Sequence, residues 1–205
     1  MAHRVDILLF DGVEELDAVG PWEVLAAWCN NHPEDGWTVR MISLGAQPVL
    51  CGKGLTLSAH AGLDDLEGTE VLIHPGGIGT RRLMHDDEHL AWLHTARAKV
   101  PVLASVCSGA SVLAAAELLR NRRVTTHWLT VGLLEETDPT VVVDRQERWI
   151  DDGDIVTSAG VSAGIEMALH FVERFASAAR AEEVRHYIDY EPSWRAESVL
   201  SEEDS

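Results

Sequence analysis

The chain repeats one pattern along most of its length: a short apolar run, an abrupt stop at turn residues, then apolar positions at helical spacing. Val5–Phe10, interrupted only by Asp6, leads into a predicted helix from Glu14 to about Cys29, with Val24, Leu25 and Trp28 inward. Trp37–Leu44 is a second run, Val71–His74 a third that stops at Pro75-Gly76-Gly77, and Pro101–Val106 a fourth. Further helices are predicted over about 80–99, with Leu83, Leu90 and Leu93 inward, over about 108–120, and, after Thr157–Gly160, over about 161–178. Strands on a half-wet sheet alternate apolar and polar residues, whereas strands covered by helices on both faces do not. The expected fold is therefore α/β, a doubly wound, mainly parallel sheet with helices on both faces, in a single domain. Segments 48–60 and 140–157 are richer in turn residues and are expected to be short β excursions. The domain is expected to span residues 1–195, with a polar tail at 196–205 that cannot bury enough apolar surface to order itself.

Composition narrows the functional classes. With 205 residues the chain can bury a full core. No stretch approaches the about 20 apolar residues of a membrane span. The first apolar run soon meets Asp11, Glu14 and Glu15, which is too short for a signal peptide, so the cytoplasm is the expected compartment. The 34 acidic residues outnumber 16 basic ones, a formal net charge of −18. Such a field repels nucleic acid phosphates and anionic lipid, and neither is expected as a main partner. The three cysteines (Cys29, Cys51, Cys107) have no CxxC spacing, which suits neither a disulfide framework nor a thiolate metal site.

Cys107 is the informative one. A buried strand runs straight into Cys107-Ser108-Gly109-Ala110-Ser111 and then the helical VLAAAELL. A nucleophile on a sharp strand-to-helix turn needs small neighbours, and a helix N-terminus favours thiolate, the reactive form. The plain alternative, a buried structural thiol, is the expected state of Cys29 and Cys51. Asp17 follows the first strand, so it too should face the crevice beyond the strands' carboxyl ends. A carboxyl beside a thiolate shares its proton, because two adjacent negative charges are costly, and can then act as general acid and base. A simple capping acid is the alternative there, and Glu14 and Glu15 read as solvated neighbours. At Gly76 and Gly77 the absent side chains leave backbone N–H groups that, with the N–H of Ser108, would suit an oxyanion pocket; a plain tight turn is the other reading. His127, in TTHW, is expected to line the pocket or to start a helix. Of the seven tryptophans, Trp22 and Trp128 lie near enough to these segments to be expected in a substrate pocket. His85-Asp-Asp-Glu88-His89 matches the H-x-x-E-H metalloprotease pattern but sits on an acidic helix start without an apolar face, so no metal site is expected.

The segment ASVCSGASVLAAAELLRNRRVTTHW closely resembles the nucleophile segment of the ThiJ/PfpI superfamily, as do LLFDGVEELDAVGPWEVL, IHPGG and TSAGVSAGIEMAL. The resemblance spans about residues 4–188 and implies a flavodoxin-like, class I glutamine amidotransferase-like fold. Within the superfamily these motifs are similar to those of isonitrile (isocyanide) hydratases and of the sensor domains of AraC-type regulators. The resemblance implies Cys107 as nucleophile and Asp17 as the carboxyl that contacts it, with no cofactor and a homodimer as the assembly. PfpI-type proteases carry a His directly after the nucleophile, and Ser108 stands there instead. The implied activity is hydration of an isonitrile, a small-molecule substrate, to an N-substituted formamide. A small-molecule sensor of the same fold and a glyoxalase- or protease-like hydrolase are the alternatives.

The acidic excess has two readings, an ordinary well-solvated surface and adaptation to high salt. Thermal unfolding across a KCl series separates them. High-salt adaptation requires the melting temperature to keep rising well beyond ~0.15 M, where exposed pairs are already screened. A flat or falling value up to molar KCl leaves only the solvated surface.

Overall fold

A computed structural model describes residues 3–191. The chain opens with β1 (His3–Leu8), α1 (Glu15–Asn31) and β2 (Trp37–Ser43), a parallel strand–helix–strand unit. A small antiparallel hairpin, β3 (Val49–Leu50) with β4 (Thr56–Leu57), precedes β5 (Ala61–Gly62) and β6 (Thr69–His74). Then come α2 (Thr80–Leu83), α3 (Asp87–Lys99), β7 (Val102–Val106) and α4 (Gly109–Ala115). The last part holds β8 (Arg123–Val124), α5 (Val131–Thr137), β9 (Val142–Val143), β10 (Trp149–Asp151), β11 (Ile155–Ser158), α6 (Ala163–Phe175) and α7 (Ala178–Tyr187).

Seven strands form the main sheet in the order β10-β11-β7-β6-β1-β2-β5, parallel except for the β10–β11 pair. β7 is buried at all five residues and β11 at all four, which is why they read as unbroken runs. Asp6 interrupts β1 without breaking it, because Arg40 on β2 donates to both its oxygens (2.9 and 3.1 Å) and Thr69 donates at 2.6 Å. Helices α1, α6 and α7 pack together, while α4 gathers α2, α3 and α5. The fold is the doubly wound, single-domain α/β architecture expected.

Several boundaries differ from expectation for local reasons. The single helix expected over 80–99 is two, since the Asp86 side chain accepts from the His89 N–H (3.1 Å) and so starts α3 afresh. The helix after Cys107 ends at Ala115 rather than near Arg120, where Glu117 and Asn121 take left-handed backbone. The last helix stops at Phe175, and Ser177 caps a separate α7 by accepting from the Arg180 N–H (3.1 Å). Segment 140–157 is more than an excursion: it supplies β10 and most of β11, a central strand parallel to β7. The tail at 196–205 lies outside the described residues. Among the described residues, no helix is long and apolar enough to cross a membrane.

A close approach of α1, α6 and β7 sets the position of the strand ends. Gly164 on α6 has no side chain, and a Cβ there would lie 3.2 Å from both Pro21 on α1 and Val106 on β7. Contact at that range brings the second turn of α1 to the end of β7.

Candidate active site

The strand order places the ends of β11, β7, β6 and β1 side by side, and each contributes to one cluster. β7 ends at Cys107, whose φ of 56° is left-handed, an uncommon state for a residue with a Cβ, costing of order 1–3 kcal/mol. The turn is held from both sides. The Cys107 N–H donates to the carbonyls of Ser158 and Ala159, both at 3.1 Å, and its own carbonyl accepts from the Thr126 hydroxyl at 2.7 Å.

Asp17, in the first turn of α1, is 0% exposed. One oxygen, Oδ2, accepts from the Gly76 N–H at 2.9 Å, and Oδ1 is buried with no hydrogen-bond partner. The Cys107 thiol lies beside this carboxyl and favours its ionised form. Burial pushes the Asp17 carboxyl up to about 7, and the charge of Glu14 adds to it, against the opposing Gly76 N–H. Burial is also the main cause that raises the Cys107 thiol, followed by the Asp17 charge; the N–H groups of Ser108 and Val161 and the Ser108 hydroxyl pull the other way. The thiolate favoured at a helix N-terminus is thus not the resting state. α4 is only seven residues long, and desolvation outweighs its dipole.

The oxyanion pocket expected at the Gly76-Gly77 turn is corrected by the structure. The Gly76 N–H is taken by Asp17, and the Gly77 N–H donates to the Ser108 hydroxyl at 3.0 Å. Gly76 is needed for close approach, since a Cβ there would lie 2.6 Å from the Ser108 nitrogen and 2.8 Å from Asp17 Oδ2. Ser108 Oγ also lies 3.1 Å from Thr80 Oγ1, so the β6 turn and the nucleophile turn are stitched together. The N–H groups left facing the sulfur are those of Ser108 and Val161.

The other expected residues divide. His127 is half-buried, its Nδ1 accepts from the Leu129 N–H (3.2 Å), and its ring edge lies against Gly160. It begins a short 3-10 turn, and the charge of Glu14 reaches it as it reaches Asp17. Trp128 is 75% exposed, its ring 5.6 Å from that of His127. Trp22 stacks on His60 (5.0 Å) and lines a groove with Ala26, Cys29 and Trp37 between α1 and β2, remote from the nucleophile turn. Glu14 and Glu15 are not free solvated acids: Glu14 pairs with Lys53, and Glu15 accepts from the Lys53 N–H at 2.7 Å, tying the β3–β4 hairpin to the start of α1. In the H-x-x-E-H segment His85 and Glu88 are exposed while His89 turns inward to His74. Among the described residues no group of three or more His, Cys, Asp or Glu is placed to hold a metal ion. Sequence reasoning missed Thr126 and Val161, which act through a hydroxyl and a backbone N–H that no motif marks.

The profile of the DJ-1/PfpI family matches residues 3–174. An isonitrile hydratase from Pseudomonas putida is 33% identical over 193 residues, covering 94% of this chain and 81% of that protein. The HTH-type transcriptional regulator CdhR from Pseudomonas aeruginosa is 28% identical over 172 residues, which is 84% of this chain and 50% of the regulator. The crystal structure of a THiJ/PfpI family protein from Pseudomonas syringae superposes with a TM-score of 0.83 at 27% identity, covering 94% of this chain and 76% of that one.

Below about pH 7 the Asp17–Cys107 pair holds two protons; above it Asp17 is ionised and can take the proton of the thiol, which itself is pushed up to about 12. Alkylation of Cys107 by iodoacetamide should therefore rise through a step centred near pH 7 and then level off. Asp17→Asn should lose that step and react only as the medium becomes alkaline. Mass-spectrometric labelling rates across pH would show it, and an unchanged step in Asp17→Asn would refute the shared proton.

Proposed function

The chain belongs to the DJ-1/PfpI family, and we propose that within it the protein hydrates an isonitrile to an N-substituted formamide. The observation that carries this reading is the pairing of Cys107 with a buried carboxyl rather than with a histidine. His127 contacts Gly160 and Leu129, so proton traffic at the sulfur falls to Asp17. One carboxyl with a pKa near neutrality can take a proton and return it within one reaction.

The reaction adds a thiol across a single carbon. Asp17 takes the thiol proton, the sulfur bonds to the isonitrile carbon, and Asp17 delivers the proton to that carbon, giving a thioimidate R–N=CH–S. Asp17 then removes a proton from water as the oxygen attacks the same carbon, and the nitrogen becomes N–H. Collapse of the adduct breaks the C–S bond, forms the formamide C=O and returns the proton to the sulfur. No cofactor enters these steps. The N–H groups of Ser108 and Val161 stabilise negative charge on the sulfur as it leaves.

The 33% identity to an isonitrile hydratase supports the substrate class. Similarity to half of a transcriptional regulator supports a sensor reading, in which the same pocket binds a small molecule without turnover.

Assay of formamide release from a panel of isonitriles tests the proposal. Cys107→Ala should abolish release. Asp17→Asn should lower turnover by about 10²–10⁴-fold, the usual loss for a general acid–base group. His127→Ala should do much less. Near-normal turnover in Asp17→Asn, or greater damage from His127→Ala, would reject the scheme in favour of a Cys-His hydrolase. Binding of isonitriles without formamide from the wild type would favour the sensor.

A further inference from the structure

Behind the β6 turn lies a histidine pair that isonitrile hydration does not use. His74, the last residue of β6, is 1% exposed, and its Nδ1 lies 2.8 Å from the Pro75 carbonyl oxygen. A carbonyl only accepts, so Nδ1 carries the proton and Nε2 of the neutral ring is bare. Nε2 lies 3.0 Å from Nε2 of His89, which must therefore be the donor. His89 sits in the first turn of α3 with its ring 5.6 Å from that of Trp92, and its backbone N–H is taken by Asp86.

The Pro75 carbonyl and the Gly76 N–H belong to one peptide plane. His74 holds the oxygen end of that plane, and the N–H at the other end donates to Asp17 Oδ2 at 2.9 Å. We propose that His74, backed by His89, is a positioning residue that orients the Pro75–Gly76 peptide so that its N–H holds the Asp17 carboxyl against Cys107. The hydrogen bonds run in one sense, from His89 to His74, from His74 to the Pro75 carbonyl, and from the Gly76 N–H to Asp17. Each donor in such a series polarises the next, so loss of the first members weakens the last. The N–H that weakens is the one that favours the Asp17 carboxylate.

The charges that face the series are few. Asp17 faces Glu14, Lys53 and Cys107; His89 faces Asp86 and Arg82; His74 faces His89. Burial pushes His74 down to about 3 and His89 down to about 4, so both stay neutral across the range where Asp17 titrates. A change in the pH profile caused by replacing them is then a change at Asp17.

The inference rests on Asp17 as proton partner of Cys107 and not on the substrate, so it is tested by the pH profile of Cys107 alkylation. His74→Leu removes the Nδ1 donor and should move the midpoint upward by roughly half a unit or more. His74→Asn places an amide N–H where Nδ1 stands and should keep the midpoint near that of the wild type. His89→Leu should shift it in the same direction as His74→Leu, and His89→Gln, which keeps a donor at the place of Nε2, should restore it. If His74→Leu does not fold, the half-buried His89 pair carries the test. A midpoint unmoved in a folded Leu variant, or moved equally by the donor-bearing variants, would overturn the proposal. Absence of formamide from every isonitrile would reject the activity while leaving this profile readable.

Discussion

A buried carboxyl group beside a largely buried thiol is the interaction on which the rest of this site depends. Asp17 keeps one hydrogen bond from a backbone N–H, and its second oxygen is buried without a hydrogen-bond partner. Neither group can ionise cheaply, and ionising both would set two negative charges side by side in a dry place. The pair therefore behaves as a single acid that gives up one proton near neutrality. Folding carries the cost. The folded-state pKa of Asp17 lies above its ordinary value, so the site costs nothing below about pH 4, and the penalty grows as pH rises toward 7, reaching about 4 kcal/mol at most. Such a penalty at a functional position is the usual trade of stability for chemistry.

The architecture exists around this pair because a doubly wound sheet brings strand ends together that are far apart in sequence. β1, β6, β7 and β11 deliver Asp17, Gly76, Cys107 and Val161 to one place, although the residues span more than two-thirds of the chain. The left-handed Cys107 is held because its N–H and its carbonyl are both bound by neighbours, Ser158 and Ala159 on one side and Thr126 on the other. Strain survives only where the surroundings leave no relaxed alternative. Gly76 and Gly164 matter for the same reason, since side chains there would push the turns apart.

The fold was legible because β7 and β6 are buried on both faces, and apolar runs such as Val102–Val106 can mean little else. The position of Cys107 on a strand-to-helix turn was legible from its small neighbours, and that of Asp17 by the strand ends from its place just after β1. What the sequence could not show was direction. Small residues at Gly76 and Gly77 suggested an open anion pocket, but whether their N–H groups face a ligand or a carboxylate depends on the tilt of two peptide planes. The expected thiolate failed for a related reason: a helix N-terminus is visible in sequence, whereas the desolvation that outweighs it depends on packing. Trp22 was misplaced because nearness in sequence to Asp17 says nothing of which helix face it occupies, and it faces His60. β11 was hidden because turn residues at Asp152-Gly153 disguised the start of a central strand.

The shared proton can be observed without any substrate. Infrared difference spectra recorded across pH, with Asp17→Asn as the reference that removes one carboxyl, isolate the protonated-carboxyl band of Asp17. If burial beside Cys107 sets its acidity, that band persists at pH values where ordinary aspartates have already ionised and disappears through about pH 7. A band lost near pH 4, with the other aspartates, would contradict the shared proton and the chemistry built on it.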